Sequence, residues 1–165
     1  MAYLLDADVF ISAKNLHYGF DFCPAFWDWL VRENEAGKLF SVERVRDELL
    51  AGKDDLAQWV AALPAGFFLR PDAATKPALR TVAQWVNSQP NYSPAAKNEF
   101  LGKADYYLVA QARAGGHVVV TRERAENSKH TVKIPNVCIG VGVTFMTPFE
   151  MLRCEGARFV LEMRP

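Results

Sequence analysis

Excess charge of either sign is missing from this 165-residue chain: 19 Lys and Arg balance 19 Asp and Glu, for a formal net charge of zero. Zero net charge supplies no long-range pull on a polyanion, which excludes a globally basic nucleic-acid binder; a polyanion site must be local or built with metal ions. Cysteine is scarce. Cys23, Cys138 and Cys154 are odd in number and form no C-x-x-C pair, and a chain of this length needs no disulfide staples, so a reducing cytoplasm is expected. His17, His117 and His130 lack a metal-ligand spacing such as H-E-x-x-H and read as structural or surface residues. Long hydrophobic runs are missing too. Ala2–Leu5 is cut short by Asp6 and has no basic leader, so no signal peptide is expected. The longest apolar stretch, Ile134–Phe149, is interrupted by Pro135, Gly140, Gly142 and Pro148 and falls short of the ~20 residues of a membrane span, so no membrane partner is expected.

What is present is apolar mass. Half the residues are hydrophobic, which excludes a disordered chain and allows burial of roughly 70% of the unfolded surface in one domain. Ala2–Leu5 and the β-branched Val118–Val120 read as strands buried on both faces, with Leu39–Phe40 and Val141–Met146 as weaker strand candidates. Helical spacing falls between them. Pro24–Gly37 carries Phe26, Trp27, Leu30 and Val31 on one face; Ser41 reads as the cap of a helix through Ala51; Asp54 and Asp55 open another through Trp59. Thr75–Asn87, a short segment from Ser93-Pro94, and Lys103–Ala114 follow, and Thr147–Glu150 forms a capping box that opens a last helix. Strands alternating with helices predict an α/β protein with a parallel sheet covered on both faces. The expected organisation is a single domain over residues 1–165, with a Pro-rich helical insertion at about 54–100.

The acids fall where such a sheet binds ligands, outside the carboxyl ends of its strands. Tyr3-Leu4-Leu5 runs into Asp6-Ala7-Asp8, and Val118-Val119-Val120 into Thr121-Arg122-Glu123; if the strands are neighbours, these acids converge. Helical phase adds two more. Asp105 shares the apolar stripe of Leu108, Val109 and Ala112, and Glu48 borders that of Val42, Val45 and Leu49, whereas Asp47 points away. Asp6, Glu48, Asp105 and Glu123 together would be strongly unfavourable without compensation. A divalent cation resolves the conflict, and an oxygen-only donor set selects Mg²⁺ or Mn²⁺. Such ions on carboxylates serve phosphate chemistry, where a pair about 3.5–4 Å apart activates water at a phosphodiester. Arg122, Arg124, Lys129, His130 and Lys133 cluster beside these acids and are candidates to contact an RNA backbone.

Tyr3–Ile11 resembles the opening motif of PIN domains, the PilT N-terminus-like nucleases. Val45-Arg46-Asp47-Glu48-Leu49 resembles their second motif, Lys103–Ala112 their third, and Val118–Glu123 their fourth, in family order. Phe22–Leu30 and Leu56–Trp59 further resemble a PIN-like branch classed only as a domain of unknown function. The resemblance implies a three-layer α/β/α fold with a short central parallel sheet. It implies a divalent-metal-dependent endoribonuclease, a hydrolase of RNA phosphodiester bonds, similar to the toxins of toxin–antitoxin pairs. It makes Asp6, Glu48, Asp105 and Glu123 the metal-binding acids and gives Thr121 a positioning role. Its expected partners are an RNA substrate, an antitoxin protein and a second copy in a homodimer. Two positions depart from the pattern: Asp8 stands where a small polar residue is common, and Glu123 where Asp is usual, which brings in Asp8 and Glu126 as extra candidate acids. Two other readings compete. Asp6-x-Asp8 after an apolar strand fits a haloacid-dehalogenase-like phosphatase with Asp6 as nucleophile, though no late strand ends in an acidic pair. A degenerate PIN-like module kept for protein binding is the other.

Overall fold

A computed structural model describes residues 1–163. The strands are β1 (Tyr3–Leu5), β2 (Leu39–Val42), β3 (Phe68–Leu69), β4 (Val118–Val120) and β5 (Phe145–Met146), in the order β3-β2-β1-β4-β5. Every pairing is parallel, with Tyr3 opposite Leu39 on one side and Val118 on the other. Between them lie α1 (Ala7–Ser12), α2 (Pro24–Glu35), α3 (Glu43–Ala51), α4 (Asp55–Ala62), α5 (Thr75–Ser88), α6 (Pro94–Leu101), α7 (Ala104–Gly115), α8 (Ile134–Val141) and α9 (Pro148–Cys154). The result is a three-layer α/β/α fold. From β1 the chain steps outward to β2 and β3, then returns to β4 on the other side of β1 and steps out to β5. Right-handed crossovers in opposite directions put their helices on opposite faces of the sheet, and the strand order reverses between β1 and β4.

The central strands are apolar throughout because both faces are covered: Leu4, Leu5, Val119 and Val120 are fully buried. Local chemistry sets the helix ends. Ser93 and Thr147 accept backbone N–H bonds at the starts of α6 and α9, and the Thr147–Glu150 capping box is complete. Gly116 ends α7 in the left-handed conformation, at φ 67°, that lets the chain turn directly into β4. The Pro-rich region is not detached: α5 packs on α7 and α8, and Val82, Val86 and Phe100 join the main hydrophobic cluster. Among the described residues no helix is long and apolar enough to cross a membrane.

Two sequence expectations need correction. Ser41 is not a helix cap. It lies in β2, where its hydroxyl donates to the Leu5 carbonyl at 2.6 Å, and α3 starts from Val42 without a side-chain cap. The Val141–Met146 strand shrinks to Phe145–Met146, because Val141 is the last residue of helix Ile134–Val141 and Gly142 turns the chain out of it in the left-handed conformation. Pro135 near its start and Gly142 at φ 74° after its end, two of the residues that break the apolar run, mark the boundaries of this helix.

Candidate active site

β1 and β4 are neighbours, so their carboxyl ends deliver Asp6 and the Thr121–Glu123 turn side by side. The Asp6 N–H donates to the Val120 carbonyl at 2.9 Å, extending the ladder one residue. Asp6 then caps α1 by position and is only 5% exposed. The buried Thr121 hydroxyl donates to Asp6 Oδ2 at 3.0 Å and accepts the Glu123 N–H at 3.1 Å. Thr121 therefore fixes two candidate acids at once. Glu123 is anchored a second time: its Oε2 accepts the Ile134 N–H at the start of α8 at 2.8 Å. Ser41, through its bond to the Leu5 carbonyl, ties the residue before Asp6 to β2.

Helices α3 and α7 supply the opposite wall. Asp105 occupies the first turn of α7, whose Leu108, Val109 and Ala112 are buried. Glu48 projects from the exposed side of α3, next to buried Leu49. A cavity of about 500 Å³ opens between these elements, lined by Asp6, Asp8, Glu48, Asp105 and Glu123, with Arg44, Asp47 and Lys103 among the other polar residues. It lies beyond the carboxyl ends of β1 and β4, at the reversal of strand order, where open parallel sheets bind ligands.

The electrostatics register the crowding. Burial, followed by the charges of Asp105 and Glu123, pushes the Asp6 carboxyl up to about 8, against the opposing hydrogen bond from Thr121. Burial and the Glu123 charge raise Asp105 to about 6, with Lys103 opposing and Glu48 adding to the rise. Three strands and helices thus bring Asp6, Asp105 and Glu123 into one field, and Glu48 reaches it from the rim. Asp47 also lines the cavity, so phase alone does not exclude it, but the α3 acid whose charge acts on Asp105 is Glu48.

The remaining candidates divide. Asp8 lines the cavity but is engaged: it accepts the Ser12 hydroxyl at 3.0 Å and pairs with Arg122 at 3.4 Å, and Arg122 also bonds the Ser12 hydroxyl. Arg122 therefore turns into the wall. Arg124, Glu126 and Lys129 are exposed and do not line the cavity; the Glu126 backbone instead bonds the Asn136 side chain. Two cations that sequence reasoning passed over, Arg44 and Lys103, do line it. Their signals were present: Arg44 stands four residues before Glu48 on one helical face, and Lys103 directly precedes the helix that carries Asp105.

The donor set consists of carboxylate oxygens in a recess, the chemistry of a hard divalent cation. Among the described residues no group of three or more His, Cys, Asp or Glu side chains is arranged to hold an ion as it stands. The donor types and their mutual repulsion fit Mg²⁺ or Mn²⁺.

Fold and site together define a doubly wound parallel α/β protein with an acid-lined cavity at its switch point. The chain belongs to the family described as Domain of unknown function (DUF4411), whose model matches residues 3–159. No curated protein and no solved structure matches it.

Proposed function

We propose that this chain is a PIN-like, divalent-metal-dependent endoribonuclease acting in the cytoplasm. The observation that carries the reading is the convergence of Asp6, Asp105 and Glu123, with Glu48 at the rim, in one cavity at the carboxyl ends of β1 and β4. A protein gains nothing in stability by crowding unneutralised acids against its core, so the arrangement is best explained by a cation and the phosphate chemistry it serves. The four acids would hold Mg²⁺ or Mn²⁺, which supplies an activated water and charge compensation at the leaving oxygen.

The chain's own residues divide the remaining work. Thr121 holds Asp6 Oδ2, so the buried Asp6 presents a fixed carboxylate at the floor of the cavity. The Ile134 N–H holds Glu123 Oε2 and keeps its longer arm from swinging out. Asp105, at the first turn of α7, is rigid because the next turn is buried. The engagement of Asp8 by Arg122 and Ser12 counts against a phosphatase in which Asp8 moves a proton as general acid. Unpaired Cys23, Cys138 and Cys154 are compatible with a reducing compartment.

The test is RNA cleavage with Mn²⁺. Asp6→Asn and Asp105→Asn should each lower turnover by about 10²-fold or more, the scale of losing a preorganised electrostatic group, with the fold retained by circular dichroism. Folded variants that cleave as fast as the parent would sink the assignment.

A further inference from the structure

Arg44 is held in an unusual way for an arginine beside an acidic cavity. Its guanidinium carbon lies 4.4 Å from the centroid of the Tyr107 ring, and its Nη2 donates to the Tyr107 hydroxyl at 3.3 Å. Glu48 stands at i+4 on the same face of α3, in reach of an ordinary helix ion pair, yet Arg44 forms no ion pair among the described residues. The other cations at the site are occupied: Lys103 pairs with Glu99 at 2.8 Å and Arg122 with Asp8 at 3.4 Å. Arg44 is thus an exposed, uncompensated charge at the cavity, with its rotamers restricted by an aromatic ring two residues after Asp105. A planar guanidinium fixed in this way keeps its remaining N–H donors, beyond the one given to Tyr107, free for a phosphate and loses little freedom on binding one.

We propose that Arg44, preset on Tyr107, is the side chain that grips the RNA phosphate backbone next to the bond being cut. This rests on the ribonuclease reading and adds a substrate-binding residue to it. Arg44 and Tyr107 bridge α3 and α7, so the grip joins the two helices that carry Glu48 and Asp105. It takes the place of Arg124 and Lys129, which do not line the cavity.

The experiment is steady-state cleavage of a labelled single-stranded RNA with Mn²⁺ over a range of KCl concentrations. Arg44→Ala should raise KM about tenfold with kcat within about threefold, the pattern of lost ground-state binding. Its dependence of log KM on log salt should flatten by about 0.7, one phosphate contact on a single strand. Arg44→Lys should recover the salt dependence but not the full KM, because an ammonium cannot stack. Tyr107→Leu should raise KM with the salt dependence kept. Arg80→Ala, an exposed arginine on α5, controls for general charge loss and should leave both readouts unchanged. If the parent cleaves and Arg44→Ala matches it in KM and salt dependence, or loses kcat alone, the grip is overturned while the ribonuclease stands. A parent that cleaves no RNA with Mn²⁺ overturns both.

Discussion

At Asp6 burial and neighbouring charge act in the same direction, and both raise its affinity for a proton. An acid bound more tightly to its proton when folded than when unfolded makes stability fall as pH rises between the two values. For Asp6 that window runs from 3.8 to about 8, and for Asp105 from 3.8 to about 6. In the presence of EDTA, the melting temperature should therefore drop as pH is raised from 5 toward 8, with Asp6 dominating the upper half (~6–8). Asp6→Asn should flatten that upper half, because an amide has no charge to bury. On the proposed reading a divalent ion would bind the ionised acids, so the stabilisation from Mn²⁺ should be larger at pH 8 than at pH 6. Thermal scans at three pH values, with and without Mn²⁺, check both signs. A slope unchanged in Asp6→Asn would show that Asp6 is not the buried titrating group.

Among the elements, the short strands are held by more than their ladders. The β1–β2 pairing runs Tyr3–Leu39 and Leu4–Phe40, and the Ser41 hydroxyl carries the attachment on to Leu5. Ser41→Ala leaves the Leu5 carbonyl without that buried partner and should cost about 1–3 kcal/mol, measured as a lower urea midpoint at constant m. Because Leu5 directly precedes Asp6, the same variant should also weaken Mn²⁺ binding. The Ser41 misreading has a physical origin: serine before a helical pattern is a cap in most contexts, but here the hydroxyl finds a neighbouring strand first. The over-long Val141–Met146 strand has another. Short apolar β-branched runs fit strand and helix alike, and the deciding mark was Gly142, which closes the helix ending at Val141. By contrast, α7 was legible, since Leu108, Val109 and Ala112 at helical spacing fixed both its face and the phase of Asp105.

Across the whole molecule, residues from Tyr3 to Leu152 contribute to one hydrophobic cluster, including α5 and α6 of the Pro-rich stretch. Phe10, Trp27, Trp59 and Phe67 form an aromatic centre on one side, while Trp85 sits against Tyr92 elsewhere. A shared core predicts cooperative unfolding with no separate melting of residues 54–100. Tryptophan fluorescence and far-ultraviolet circular dichroism should give coincident urea transitions. A split transition would identify the Pro-rich stretch as an independent unit.

The sequence by itself determined the α/β class, the two central strands and the placing of Asp6, Asp105 and Glu123 at strand ends and a helix start, because strand ends and helical periodicity are local properties. Tertiary structure decided what depends on which strand lies beside which. The β3-β2-β1-β4-β5 order brings Asp6 next to Thr121, lets Arg122 neutralise Asp8, and sets Arg44 on Tyr107. Those contacts join residues 63 to 115 positions apart, and no local pattern of side chains encodes a partner at that separation.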